Sequence, residues 1–308
     1  MTSDDWPKIA VVGAGAVGGY FGGMLARAGA PVTFIGRPAF VDAVKRDGLF
    51  LDTISFQERV KAEASTELSA AGGAEIILFC VKTTDTATTA RDLAKLLSPG
   101  AVLVSMQNGV DNAEQIHAAS GLNALAAAVY VAAAAPSPGT VKHVGRGDLV
   151  LGPENEITKR VAAVFVRAGV PCRISENLSG ELWTKLVWNC ALNAISALGK
   201  ATYGDILASD DAKTLLQGAV YEVLAVARAA GISLPGFADP KIAIDGAYKV
   251  AEQMAATRSS TSQDMMRGKK TEIDSLNGFI VRKGRELGVA TPINHALFTL
   301  VKLAERSN

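Results

Sequence analysis

The sequence KIAVVGAGAVGGYFGGMLARA, residues 8–28, decides the fold of the first half of this chain. Its apolar start, residues 8–12, predicts a strand, and the stretch up to about residue 28 has the pattern of a helix. Between them lie glycines with G-x-G-x-x-G spacing, which suit a tight turn, a close approach of the backbone to a pyrophosphate, and close helix–strand packing. The segment predicts a dinucleotide-binding turn, with an ordinary glycine-rich turn as the alternative. The predicted cofactor contacts are Gly13, Gly15, Ala16, Val17 and Gly18.

The residues that follow the next apolar runs indicate which dinucleotide binds. The second predicted strand, residues 31–36, is followed by Arg37, and no Asp or Glu stands at the strand end, where an acid would bind the ribose of NAD. A guanidinium there suits the 2′-phosphate of NADP. Lys82 follows the predicted strand at 74–81 and is a second candidate for a cofactor phosphate. For both cations the alternative is a solvated side chain in a loop.

Alternating strand and helix signals predict the architecture of this half. Further apolar runs lie at residues 101–106 and 125–133, with helical segments between them such as 86–97. Such an order is typical of a doubly wound parallel sheet of Rossmann type, covered by helices on both faces. Residues 139–152 alternate in polarity and are rich in glycine, which predicts a hairpin.

The second half of the chain has a different pattern. From residue 181 to residue 306 the periodicity is almost entirely helical. The predicted fold class is therefore α/β, a doubly wound Rossmann-type sheet followed by an all-helical second domain. The predicted domains are a dinucleotide-binding Rossmann domain at residues 1–175 and a helical substrate-binding domain at residues 176–308.

Composition excludes several classes of partner. The 308 residues carry 31 Lys plus Arg against 30 Asp plus Glu, so nucleic acid is not an expected partner. No apolar run reaches the ~20 residues of a bilayer-spanning helix, and the amino terminus has no signal-peptide pattern. Three widely spaced cysteines are expected as free thiols in the cytoplasm, and three scattered histidines give no reason to expect a metal. A homodimer is compatible with the sequence, with its interface expected on the helical domain.

A narrow polar stripe crosses the apolar segment ELWTKLVWNCALNAIS, residues 181–196. Lys185, Asn189 and Asn193 are spaced four residues apart and share one helix face. If buried, these groups need hydrogen-bonding partners, which suits the wall of an active site. The alternative is the solvated face of an amphipathic helix.

Two other polar segments are candidates for substrate contacts. Asn108 follows the apolar run at 101–106 and suits a substrate oxygen or the nicotinamide side of the cofactor; the alternative is a turn residue before Gly109. Ser260 suits a carboxylate, and Glu272 suits a substrate hydroxyl or the lysine. The alternative for this second segment is an N-capped surface helix that carries Glu272 and its charged neighbours.

These motifs in this order resemble the ketopantoate reductase (2-dehydropantoate 2-reductase) family. The resemblance rests on the glycine turn, Arg37, the Q-N-G at 107–109, and three later motifs. It extends from residue 8 to about residue 303. The later motifs are K-L-x-x-N-C-x-x-N at 185–193, S-S-x-x-Q-D at 259–264 and T-E-I-D-x-x-N-G at 271–278.

The resemblance implies a role for each matching residue. Lys185 is implied to be the general acid, and Asn108 to position it and the substrate. Ser260 matches a serine that contacts the substrate carboxylate, and Glu272 matches the acid that binds the opposite end of the substrate. The other implied contacts are two amides at the substrate, Asn189 and Asn193, and two cations at the NADP 2′-phosphate, Arg37 and Lys82.

The reaction expected from these residues is hydride transfer from NADPH to the ketone carbon of a small 2-keto acid, in a cleft between the domains. The ammonium of Lys185 would stabilise the charge that develops on the carbonyl oxygen and donate a proton to it. Two alternatives stay open: an NADP-dependent dehydrogenase of a 3-hydroxy acid or a sugar acid, and a non-catalytic NADPH sensor.

Overall fold

Each apolar run that predicts a strand in the first part of the chain forms one. The computed structural model describes residues 6–237 and 239–306, and the chain divides into two units, Met1–Leu178 and Ser179–Asn308. The strands are β1 (Ile9–Val12), β2 (Val32–Ile35), β3 (Leu49–Asp52), β4 (Gln57–Val60), β5 (Glu63–Ser65), β6 (Ile76–Phe79), β7 (Val102–Ser105), β8 (Ala124–Ala134), β9 (Thr140–Leu151) and β10 (Cys172–Ile174). The helices of the first unit are α1 (Ala16–Arg27), α2 (Pro38–Asp47), α3 (Thr86–Ala94), α4 (Asn112–Ser120) and α5 (Glu156–Arg167).

The ten strands form one mixed sheet in the order β4-β3-β9-β8-β7-β6-β1-β2-β5, with β10 paired to β9. The part from β8 to β5 is parallel. Alternate residues of β1 enter two separate cores, Ile9 and Val11 on one face, Ala10 and Val12 on the other. Both faces are therefore buried under helices, which confirms the predicted doubly wound α/β fold.

One prediction for this unit needs correction, and three of its strands were not predicted. Residues 139–152 do not fold back on themselves, because they form the single strand β9, which pairs antiparallel with β8. The hairpin is thus made by β8 and β9 together, with irregular register near Tyr130 and Ala132. The short strands β3, β4 and β5 were not predicted, since they have three or four residues each and several of those are charged.

Helix α1 packs against strands on two of its sides, and glycines make this possible. A Cβ on Gly22 would lie 2.6 Å from side-chain atoms of both Val11 and Phe34, on strands β1 and β2. A Cβ on Gly19 would lie 2.6 Å from Val141 Cγ2, on strand β9. Such distances are shorter than ordinary carbon–carbon contacts, so any larger residue would push the strands away from the helix. The G-G-x-x-G-G of α1 therefore lets the sheet curve around the first helix.

The second unit is helical, as predicted. Its helices are α6 (Leu178–Leu198), α7 (Tyr203–Ala208), α8 (Asp210–Ala229), α9 (Pro240–Gln253), α10 (Ser260–Met266), α11 (Asn277–Leu287) and α12 (Pro292–Ala304), with a 3₁₀ turn at Ile273–Ser275. Helix α6 begins at the last residue of the first unit. In the part of the chain that the structure describes, no helix is both long enough and apolar enough to cross a bilayer.

A buried polar network joins four helices of this unit. The carboxylate of Glu222, on α8, accepts hydrogen bonds of 2.8 Å from the backbone N–H groups of Ile293 and Asn294, at the start of α12. The side-chain amide of Asn294 also donates to Glu222, and its oxygen accepts from Asn277 Nδ2, on α11. Asn277 Nδ2 in turn donates to the carbonyl oxygen of Cys190, on α6. A carboxylate at a helix N-terminus satisfies N–H groups that have no acceptor within the helix.

Candidate active site

The glycine turn between β1 and α1 has the shape of an anion-binding loop. Gly13 has φ +98°, and a Cβ there would lie 2.6 Å from the backbone carbon of Cys80, so only glycine fits this position. A Cβ on Gly18 would overlap Gly13 O, which shows how closely the helix approaches the strand. Gly15 is exposed, and a Cβ there would meet no atom of the described residues within 4 Å apart from those of its chain neighbours. The turn is thus tightly packed at Gly13 and Gly18, whereas the space beside Gly15 is open.

Helix α1 directs unsatisfied N–H groups toward this open space. Its first intrahelical bond runs from Gly19 N to Gly15 O, so the N–H groups of Ala16, Val17 and Gly18 precede the helical ladder. The N-terminus of a helix carries partial positive charge and stabilises a bound phosphate. The residues predicted to contact the cofactor therefore lie in this turn and in the first turn of α1, with Gly15 exposed.

The two predicted phosphate-binding cations lie at the same edge of the sheet as this turn. Ile35 of β2 and Phe79 of β6 both pair with Val12, so the carboxyl ends of β2, β1 and β6 are level. Arg37 is exposed two residues past the end of β2, and Lys82 is half-buried three residues past the end of β6. Neighbouring carboxyl ends of a parallel sheet are where ligands of doubly wound folds bind.

Asn108 lies three residues past β7, the next strand of the same edge. Its carbonyl oxygen accepts a 2.8 Å hydrogen bond from Asn112 Nδ2, in the first turn of α4. The residue is half-buried and is followed by Gly109 with φ +104°. Folding thus brings the first-unit candidates to one sheet edge: the glycine turn, Arg37, Lys82 and Asn108.

The polar stripe of α6 is not a fully solvated face. Lys185 and Asn189 are half-buried, and Asn193 is only 4% exposed. Asn193 Oδ1 accepts a hydrogen bond of 3.4 Å from the hydroxyl of Tyr203, the first residue of α7. Burial raises the pKa of the Tyr203 hydroxyl, so it stays a neutral donor. With Oδ1 turned toward Tyr203, Asn193 can offer a ligand the Nδ2 donor on the other side of its amide.

Ser259 attaches the segment that carries Ser260 to the same helix. Its Oγ donates to the carbonyl oxygen of Asn193 at 3.0 Å, and its backbone N–H donates to Ser196 Oγ at 3.1 Å. The same Oγ accepts from Ser262 N and so caps α10. Ser260, the first residue of α10, is therefore exposed beside the part of α6 that holds Asn193.

The structure changes the predicted surroundings of Glu272. The sequence alternative was an N-capped surface helix that carries Glu272. Ser259 does cap α10, but Glu272 is not on this helix, because α10 ends at Met266 and Gly268 follows with φ +62°. Glu272 is half-buried directly before the 3₁₀ turn at Ile273–Ser275. The bond from Asn277 to the carbonyl oxygen of Cys190 attaches this segment to α6, beside Asn189. The second-unit candidates are therefore on α6 or on segments bonded to it.

The sequence did not predict the hydrogen-bonding roles of three residues in this arrangement. They are Gln107, Tyr203 and Ser259. Their partners on other helices lie 10 to 66 residues away in the sequence, so no local pattern identified them. Within residues 6–237 and 239–306, no group of three or more His, Cys, Asp or Glu side chains is placed to hold a metal ion.

Comparison with known proteins gives matches over both units. The family model described as Ketopantoate reductase PanE/ApbA matches residues 9–156, and its C-terminal counterpart matches residues 177–305. A 2-dehydropantoate 2-reductase of Halobacterium salinarum is 30% identical over 307 residues, covering 97% of this chain and 99% of that protein.

Solved structures also match nearly the whole chain. A PanE/ApbA family ketopantoate reductase from Ralstonia eutropha JMP134 is 46% identical, with a TM-score of 0.91 over 97% of this chain and 99% of that one. A D-mandelate dehydrogenase in complex with NADH and anilino(oxo)acetate is 26% identical, with a TM-score of 0.90 and the same coverage of both chains.

Proposed function

The chain belongs to the ketopantoate reductase family, and on that premise we propose that it reduces 2-dehydropantoate, a small 2-keto acid, to pantoate with NADPH. The observation that carries this proposal is the family match, which covers residues 9–156 and 177–305. It includes the glycine turn in one unit and the polar stripe of α6 in the other.

The residues at the sheet edge fit a dinucleotide. The open space beside Gly15 and the N–H groups in the first turn of α1 suit a pyrophosphate. Glycine keeps this space free, because a Cβ at residue 15 would project into it. Arg37 and Lys82 supply the positive charge that a 2′-phosphate needs, which favours NADP as the cofactor. NADPH, when bound, supplies the hydride for the ketone carbon.

In the proposed mechanism, residues of the second unit bind the keto acid and stabilise the negative charge that develops on its carbonyl oxygen. Ser260 and the Nδ2 groups of Asn189 and Asn193 donate hydrogen bonds to substrate oxygens. As the ketone carbon gains a hydride, its oxygen becomes negative, and the ammonium of Lys185 stabilises that charge and transfers one proton to it. Lys185 then regains a proton from solvent.

We assign orientation roles to the remaining two candidates. Asn108, at the sheet edge, positions the substrate without adding charge, and Glu272 accepts a hydrogen bond from the substrate end opposite its carboxylate. Both residues therefore orient the keto acid, and neither donates the proton.

The test is NADPH oxidation with 2-dehydropantoate beside a panel of other 2-keto acids, and with NADH as the control cofactor. We expect the highest kcat/KM with NADPH and 2-dehydropantoate. Absence of NADPH consumption with every keto acid would refute the proposal and favour a non-catalytic NADPH sensor.

A second candidate function is the reduction of an aromatic 2-keto acid. It is favoured by the likeness to D-mandelate dehydrogenase, whose structure contains NADH and anilino(oxo)acetate. The panel therefore includes benzoylformate, the 2-keto acid that corresponds to mandelate. A preference for benzoylformate would replace 2-dehydropantoate as the substrate while leaving the reaction type unchanged.

The cytoplasm as the compartment and a homodimer as the assembly stay predictions from the sequence. Light scattering on the purified enzyme measures the second of them directly.

A further inference from the structure

The side chain of Gln107 joins the two loops that follow β6 and β7. Its Nε2 donates to the carbonyl oxygen of Val81 at 3.0 Å and to Thr86 Oγ1 at 2.7 Å. Its Oε1 accepts from Ser105 Oγ at 3.2 Å. Gln107 is 6% exposed and Thr86 is 1% exposed, so water does not compete for these bonds. Both hydrogens of the amide and its oxygen have partners, which fixes the orientation of the side chain.

The two partners of Nε2 stand on either side of Lys82. Val81 directly precedes Lys82, and Thr86 is the first residue of α3. Between them lies only Lys82 and a 3₁₀ turn of three residues, Thr83–Asp85. One amide therefore holds both ends of the segment that carries the predicted phosphate-binding lysine.

The backbone of Gln107 leads directly to the other functional residue of this edge. Asn108 follows it in the chain, and Asn112 Nδ2 holds the carbonyl oxygen of Asn108 at 2.8 Å. Neither bond of Gln107 Nε2 involves a residue of its own strand or loop. Gln107 thus sets the position of Lys82 relative to Asn108 across two neighbouring strands.

We propose that Gln107 is a positioning residue that holds Lys82 at the 2′-phosphate and thereby maintains the preference of this enzyme for NADPH over NADH. The inference rests on the proposed function, in which Lys82 supplies positive charge at that phosphate and Asn108 positions the substrate. The 2′-phosphate is the only group that distinguishes the two cofactors, and a charge-assisted contact to it depends on where the ammonium is held. Loss of the Gln107 bonds loosens residues 82–85 and weakens NADPH binding more than NADH binding.

A purely structural role predicts a different result. If Gln107 only stabilised the sheet edge, its removal would lower the melting temperature and weaken both cofactors by the same factor. The ratio of the two dissociation constants separates the roles, because it cancels any effect that NADPH and NADH share.

The experiment measures dissociation constants of NADPH and NADH by fluorescence titration of the full chain, with no keto acid present. Gln107→Met keeps the length of the side chain and removes its donors. We expect the Kd of NADPH to rise about tenfold and that of NADH by less than about threefold, the scale of weakening one charge-assisted contact. In a Lys82→Ala background, Gln107→Met should leave the ratio unchanged, since the contact it supports is already absent.

Two further variants complete the design. Thr86→Val removes one of the two Nε2 partners with little change in volume, and we expect a smaller shift of the ratio in the same direction. Ser98→Ala is the matched control, because Ser98 Oγ donates to Gly72 O at 2.9 Å, also across 26 residues of sequence, but at the opposite end of β6 and β7. Ser98→Ala should leave the ratio at its wild-type value.

The outcomes distinguish this inference from its premise. An unchanged ratio in Gln107→Met, whether both cofactors bind more weakly or neither does, would overturn the positioning role alone, and so would an additive effect in the Lys82→Ala background. A wild-type protein without preference for NADPH would overturn the cofactor assignment and this inference together.

Discussion

Replacing Gly15 by alanine should leave the fold intact and damage cofactor binding. The backbone at Gly15 has φ −86° and ψ −156°, an extended conformation that alanine adopts without strain. An added methyl would meet no other described atom within 4 Å. The loss of a good N-cap residue and the gain from a less flexible unfolded chain are both below about 1 kcal/mol and oppose each other. We therefore expect a melting temperature close to that of the wild type.

The same methyl would occupy the open space in which a pyrophosphate approaches the N–H groups of α1. A methyl carbon needs about 3.5 Å to a phosphate oxygen, whereas the N–H···O hydrogen bonds to that oxygen are about 2.9 Å long. The phosphate would therefore bind farther from the N–H groups by a substantial fraction of an ångström. Weakening two charge-assisted bonds in this way costs on the order of 2 kcal/mol. That corresponds to roughly a 30-fold rise in the Kd of NADPH, measured by fluorescence titration.

Two other glycines serve as controls for this prediction. Gly18→Ala should lower the melting temperature, because its Cβ would overlap Gly13 O and lie 2.8 Å from Val11 Cγ1, at a typical cost of 1–3 kcal/mol. Gly73→Ala should change neither stability nor binding, since its Cβ also meets no described atom within 4 Å and Gly73 precedes the opposite end of β6. Wild-type affinity for NADPH in Gly15→Ala would refute the assignment of the pyrophosphate to this turn.

Three further predictions concern the second unit. Lys185→Ala should lower kcat by on the order of 100-fold or more while NADPH still binds, and an unchanged kcat in steady-state assays would remove this lysine from the mechanism. Tyr203→Phe should raise the KM for the keto acid by about three- to tenfold with little change in kcat, because Asn193 loses the bond that orients its amide; an unchanged KM would contradict this. Glu222→Leu should destabilise the protein by about 3 kcal/mol in chemical denaturation, since it removes the acceptor from three part-buried N–H groups, and Glu222→Gln should cost less.

The parts of the fold that were predicted correctly depend on short-range patterns. The glycine turn, the long apolar strands and the helical second half are each encoded within about ten residues. The two errors have the same origin. The alternation of residues 139–152 identified a strand but not its partner, which is β8, and the charged segment around Glu272 resembled a helix although Gly268 ends α10 before it.

The candidate residues were identified by spacing, but their neighbours were not. Lys185, Asn189 and Asn193 share a helix face because any α-helix brings residues four apart together. The hydroxyl that orients Asn193 comes from α7, and the bond that brings Ser260 beside α6 spans 66 residues of sequence. No periodicity relates such pairs.

The sequence by itself determined the turn chemistry at residues 13–18, the long apolar strands, the change to an all-helical second half, and which polar residues break an apolar pattern, because these depend on backbone sterics and on helix or strand periodicity. Only the tertiary structure decided which distant groups meet, such as Gln107 with Val81 and Thr86, or Glu222 with the start of α12. A hydrogen bond requires atoms about 3 Å apart, and that distance is set by how whole elements pack rather than by any local run of residues.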